Sequence, residues 1–221
     1  MKRTLCAILA LSFVFTLSSM AFTFEHLDRD DLFSPEVIEQ EKVSEWAKEE
    51  IDKAIDAGLV TEHTSDYMTK DITRFQFAEL AVNFAEKATG KEVTPAAADT
   101  FTDTSDEIVL KAYAAGIVNG VGDGKTFAPD DTTNREQIAL MLYRAAQYVK
   151  NNGGKAIPDM GTDISKYTDR DSVSLWAKEA VGALANNGVM KGSSDTTLSP
   201  ATSCSKEQSI ILVYRLYEVV K

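Results

Sequence analysis

The sequence predicts a mainly helical protein built from three helix–loop–helix repeats, and three observations carry that reading. A helical pattern ending in glycine occurs in SEWAKEEIDKAIDAGLV (44–60), EIVLKAYAAGIV (107–118) and LWAKEAVGALANNGVM (175–190). A second apolar stripe follows each: Leu80, Ala81, Phe84 and Ala88; Met141, Leu142, Ala145 and Val149; Leu212, Val213, Leu216 and Val220. Ahead of each stripe stands a capping residue, then a cation, then glutamine two places on: Thr73-Arg74-Phe75-Gln76, Asn134-Arg135-Glu136-Gln137 and Ser205-Lys206-Glu207-Gln208.

In chain order, Lys2 and Arg3 precede an apolar run from Leu5 to Leu17 and the small residues of Ser19-Met20-Ala21. That order predicts a secretory signal over residues 1–21 with cleavage after Ala21, and an exported product. The apolar run is short for a membrane span. Residues 22–43 form an acidic lead-in, with a short helix expected after Pro35. The repeats are expected at 44–89, 101–150 and 167–221, joined by connectors around Thr89 to Thr100 and Asn151 to Lys166.

Within the first helices, Ala47, Ile51, Ala54 and Ile55 share a face, as do Ala177, Val181, Leu184 and Ala185. Spacings of four, three and one line up along a helix. Gly58, Gly116 and Gly188 stand where each helix would end in a left-handed residue. Before the second helices, Thr73, Asn134 and Ser205 offer side-chain oxygens to the free N–H groups of the first turn. The cation that follows opposes the helix dipole. Its presence in every copy points to a role other than helix stability. Units this small cannot bury their own stripes, so the three are expected to pack together.

Several chemistries are excluded or disfavoured. GIVNGVGDGKTFAP, residues 116–129, contains a Gly-Lys-Thr run, but Asn119 occupies the place of the first glycine of a phosphate-binding loop and no helix opens directly after it. A calcium loop fails because Lys125 and Phe127 stand where oxygen ligands belong. The chain is 44% hydrophobic and 26% charged, as a globular protein should be, with a formal net charge of −11. Such acidity disfavours nucleic acid and an anionic membrane as partners. After signal cleavage Cys204 is the remaining cysteine, so no disulfide framework is expected. His26 and His63 make no metal-ligand spacing. Carboxylate pairs such as Asp130-Asp131 and Asp169-Asp171 are explained by the abundance of acids rather than by glycosidase chemistry. No catalytic set, metal site or cofactor is expected.

The repeats resemble the S-layer homology (SLH) domain, whose elements are F-x-D, a helix with Trp, a G-[IV] turn closed by glycine, D-G-x-F-x-P and T-R-x-[EQ]. The second unit carries Phe101-Thr102-Asp103, Gly116 to Gly120, Asp123 to Pro129 with one residue inserted, and Thr133 to Gln137. The third has Tyr167-Thr168-Asp169, Trp176, Gly188 to Gly192, Leu198-Ser199-Pro200 and Ser205 to Gln208. The first has Trp46, Gly58-Leu59-Val60 and Ile72 to Gln76, but lacks F-x-D and the D-G-x-F-x-P loop. The resemblance implies a pseudo-threefold assembly around a central three-helix bundle, with grooves between modules. It also implies non-catalytic anchoring at the cell wall or cell surface through secondary cell-wall polysaccharide, commonly a pyruvylated one, and surface-layer proteins as further partners. Carried over to this sequence, the ligand contacts are Arg74 and Arg135, with Lys206 as a weaker equivalent. A guanidinium meets a pyruvyl carboxylate with two parallel charged hydrogen bonds, whereas lysine offers a point charge. A solvated or structural ion pair is the other role open to the arginines. Trp46 and Trp176 are suited either to stacking on a sugar ring or to packing between modules. A different class of function, a structural surface-layer or scaffolding protein that self-assembles or binds a protein partner, also fits the repeats.

Overall fold

The computed structural model describes residues 43–221. The expected signal and nearly all of the acidic lead-in lie outside the described residues. The described chain is mainly helical: α1 (Lys48–Asp56), α2 (Arg74–Thr89), α3 (Glu107–Ala114), α4 (Arg135–Asn151), α5 (Lys178–Asn186) and α6 (Lys206–Val220), with 3-10 turns at Glu62–Thr64 and Arg170–Ser172. Extended pairing among the described residues is confined to isolated bridges such as Thr73 with Thr132 and Asn134 with Ser203.

Local sequence explains both helix ends. Gly58, Gly116 and Gly188 take φ of 64°, 70° and 69°. The following amides of Leu59, Ile117 and Val189 donate back to Ala54, Ala112 and Leu184 carbonyls, which is how a left-handed residue closes a helix. At the second helices Thr73, Asn134 and Ser205 accept from the Gln76, Gln137 and Gln208 amides, and each glutamine side chain accepts in return from the N-cap amide. Reciprocal caps of this kind each contribute about 1 kcal/mol.

The long helices α2, α4 and α6 pack against one another. Their stripe residues Leu80, Phe84, Leu142, Ala145, Val213 and Leu216 are fully buried, each large one contributing about 1.5 to 3 kcal/mol. Each short helix packs on the long helix of the preceding unit: α3 on α2, α5 on α4, and α1 on α6. The segments before the long helices close a ring. The Ile72 amide donates to the Cys204 carbonyl at 2.9 Å, Cys204 to Thr133 at 3.2 Å, and Thr133 to Ile72 at 3.2 Å.

First-turn amides, which have no partner inside a helix, are satisfied by the following unit. Arg74 and Phe75 donate to Asp131 and Pro129 carbonyls, Arg135 and Glu136 to Thr202 and Pro200, and Lys206 and Glu207 to Lys70 and Met68. Two glutamates strengthen these junctions: Glu136 accepts from the Ser174 amide and hydroxyl, and Glu207 from those of Ser44. At the junction between the first and second units Phe75 holds the equivalent place and packs edge-on against His63.

Candidate functional site

The cation that opposes the dipole of each long helix reaches sideways into the next unit. Arg74 Nε donates to the Phe127 carbonyl at 2.9 Å and its Nη2 to Asn119 at 3.3 Å. Arg135 repeats this with Leu198 at 2.8 Å and Lys191 at 2.9 Å. Lys206 Nζ donates to the Asp66 carbonyl at 3.1 Å and its carboxylate at 2.7 Å. The accepting carbonyl lies in every unit just before a residue of positive φ: Ala128 (58°), Ser199 (52°) and Tyr67 (44°). This strained backbone aims the carbonyl at the cation, and the hydrogen bond holds the strain in place.

The F-x-D aspartates hold the same loops from behind. Asp103 accepts from the Phe127 and Ala128 amides at 2.8 and 2.7 Å, and Asp169 from Leu198 at 2.8 Å and Ser199 at 2.7 Å. The Phe127 amide is the main influence holding the Asp103 carboxyl below its ordinary range. For Asp169 burial pushes upward, yet the Leu198 and Ser199 amides outweigh it and the result is again lowered. Between the two loop anchors the backbone turns so tightly that a Cβ on Gly120 would lie 2.1 Å from the Gly124 carbonyl oxygen; on Gly192 it would lie 2.1 Å from that of Ser194. The glycines of GVGDGKTFAP therefore build a short turn, with Val121 bridged to Thr126.

Two grooves result, alike in their two arginines, glutamine and tryptophan. One, of about 350 Å³, is lined by Arg74, Gln137, Arg144 and Trp176 together with the Asn119-Gly120 turn. The other, of about 410 Å³, is lined by Arg135, Gln208, Arg215 and Trp46 together with the Lys191-Gly192 turn. Each thus combines a cation from one unit, a turn and a second arginine from the next, and a tryptophan from the third. Trp176 and Trp46 are 52% and 58% exposed, so they are groove walls rather than packing between units. Arg74 and Arg135, 9% and 8% exposed, form the floors, with two of three guanidinium nitrogens committed to the turn. Lys206 stands in neither groove. At its junction the counterpart of the second arginine is Asn83, which donates to the Gly58 carbonyl at 3.0 Å, and the counterpart of the tryptophan is Thr104.

Arg144 and Arg215 were missed by sequence reasoning, although both stand nine places after the cap cation, on the solvent side of an otherwise apolar stripe. The glutamines were legible as recurring members of the motif, but neither as capping partners nor as groove residues. Of the other candidates, His63 Nδ1 meets Glu79 at 3.0 Å. Cys204 is buried in the ring of N-cap segments, where burial pushes its thiol up. Among the described residues no three His, Cys, Asp or Glu side chains gather as a metal site, and no helix is long and apolar enough to cross a membrane.

Comparison with known proteins agrees with this architecture. Residues 100–139 and 166–208 match the family model of the S-layer homology domain. The chain is 30% identical over 156 residues to a cellulosome-anchoring protein of Acetivibrio thermocellus, covering 67% of this chain and 32% of that protein. It is 27% identical over 188 residues to the surface-layer 125 kDa protein of Lysinibacillus sphaericus, covering 81% of this chain and 15% of the relative. An endoglucanase of Bacillus sp. (strain KSM-635) is 33% identical over 108 residues, 49% of this chain and 11% of the enzyme. The chain therefore spans a third or less of each of these relatives.

Proposed function

We propose that the protein is a non-catalytic anchoring module that holds an exported protein at the cell wall or cell surface by binding an anionic, carboxylate-bearing secondary cell-wall polysaccharide. The observation that carries this is the pair of matched grooves, each placing guanidinium groups beside an exposed tryptophan. A pyruvyl ketal offers a carboxylate to the arginine and an apolar sugar face to the indole, and the two demands are met within one groove. The similarity to a cellulosome-anchoring protein and a surface-layer protein supports the same role. We assign the three units to 44–89, 101–150 and 167–221, related by a pseudo-threefold arrangement; the cyclic junctions support a first module before the two matched ones. Arg74, Trp176, Arg135 and Trp46 are assigned to the ligand. Lys206 is assigned to scaffolding, since its ammonium is taken up by Asp66.

Residues 22–221, purified, should sediment with cell-wall sacculi and stay in solution once the polysaccharide has been extracted. Equal binding to stripped peptidoglycan would sink the proposal. Self-assembly is the competing reading, favoured by the likeness to a surface-layer protein. Light scattering separates the two: a monodisperse monomer that still binds walls argues against a lattice.

A further inference from the structure

The two grooves share their arginines, glutamine and tryptophan but differ in charge: the turn carries Asn119 in one and Lys191 in the other, and the second arginines differ in their partners. In the Trp46 groove Arg215 is engaged: its Nε meets Glu50 Oε1 at 2.9 Å and its Nη2 meets Glu50 Oε2 at 2.6 Å. This is a bidentate fork, the geometry in which a guanidinium takes a carboxylate. In the Trp176 groove the residue equivalent to Glu50, eight places before the helix-ending glycine, is Ala180. The neighbouring acid Glu179 is occupied by the Tyr143 hydroxyl at 2.7 Å. Arg144 accordingly makes no hydrogen bond or ion pair among the described residues, although it is partly buried on the groove wall. Burial alone acts on its guanidinium, whereas Arg74 has Asp131 and Asp103 to offset its burial. A half-buried, uncompensated guanidinium costs stability, and a carboxylate arriving from outside would relieve that cost.

We propose that Arg144 is a second carboxylate-binding fork in the Arg74 groove, and that Glu50 is a built-in competitor occupying the equivalent fork on Arg215. The inference rests on the anchoring reading and narrows it. The Trp176 groove is the tighter site for an acidic sugar. The Trp46 groove binds more weakly, through Arg135 and the exposed Lys191 on its turn, because an incoming carboxylate must displace Glu50 to use Arg215. Single-sign charge in one groove and a self-neutralised pair in its twin give one protein two unequal sites for the same polymer.

Each groove has its own tryptophan, and the chain has two, so the indole N–H signals in 1H–15N spectra report the sites separately. The probe is a methyl glycoside carrying a 4,6-pyruvate ketal, titrated into residues 22–221. The Trp176 signal should saturate at lower ligand than the Trp46 signal. Arg144→Gln should weaken the Trp176 titration by about ten- to a hundredfold, the loss expected for a charged hydrogen bond, and leave the Trp46 titration as it was. Glu50→Ala, which copies Ala180 and suits a helix, should tighten the Trp46 titration about tenfold or more without moving that of Trp176. The undisturbed indole in each variant verifies that the fold survives. Equal titrations of both indoles in the native sequence, or an unchanged Trp46 titration in Glu50→Ala, would overturn the inference. Sedimentation with sacculi but no response to the ketal would also overturn it while leaving the anchoring reading standing. Failure to sediment with sacculi at all would overturn that reading itself.

Discussion

The junction around Lys206 and the two grooves built on Arg74 and Arg135 share a backbone and differ in chemistry. All three keep the left-handed glycine, the capping box, the amides donated to the next unit and a carbonyl presented beside a positive-φ residue. Only the grooves keep two arginines and a tryptophan; the third junction has Lys206, Asn83 and Thr104, and its cation is paired with Asp66. The cation's structural duty is thus met at the third junction without the arginine and tryptophan that line the grooves. This separates holding the adjacent turn, which all three cations do, from lining a groove, which only Arg74 and Arg135 do.

Removing the cations tests the structural duty first. Arg135→Ala removes two charge-assisted hydrogen bonds to carbonyls in the third unit and should lower stability by about 2 to 4 kcal/mol. Lys206→Ala should cost about half as much. Thermal or urea unfolding checks both, and equal losses would mean that the grooves add nothing to the scaffold. Glu136→Ala should cost about 1 to 2 kcal/mol through its two bonds to Ser174, a loss with no counterpart at Phe75. Trp176→Ala and Trp46→Ala should change stability by less than about 0.5 kcal/mol, as exposed positions do, while wall binding in the sedimentation assay falls. Thr104→Ala should alter neither. Installing the missing chemistry at the third junction, Lys206→Arg, Asn83→Arg and Thr104→Trp together, should add a third ligand-responsive indole signal.

The smallest effect is that of acid. The carboxyls of Asp103 and Asp169 are held below their ordinary value of 3.8. Their contribution is therefore fully present above that value and is lost as pH falls through the lowered folded values. Amide exchange at Phe127, Ala128, Leu198 and Ser199 should accelerate in that window, after correction for the intrinsic pH dependence of exchange. Acceleration already at pH 6 would contradict the assignment.

Much of the fold was legible in the sequence because the signals are local. Apolar spacing gave five of the six helices among the described residues and the repeat gave the sixth; Gly58, Gly116 and Gly188 gave three helix ends; and the Thr73, Asn134 and Ser205 segments gave the caps, each within a few residues of the bonds it makes. The misplaced cation was legible as an anomaly, since a positive charge at a helix start needs a reason. Trp46 and Trp176 were visible as members of the repeat with stacking on a sugar and packing between modules both open, and it took the structure to place them on groove walls. Arg144 and Arg215 sat in plain view at a fixed spacing and were absorbed into the apolar stripe around them.

The helical class and the threefold recurrence of glycine, cap and cation are written along the chain, because periodicity and capping depend on near neighbours. Which of those residues meet depends on the packing of distant segments. Arg74 reaches a carbonyl 53 positions away and shares a groove with Trp176 from a different unit; Glu50 closes on Arg215 across 165 positions. Such pairings follow from the way each unit's long helix takes the next unit's loop as its cap, and the order of that ring is set by packing three incomplete cores together rather than by any local pattern.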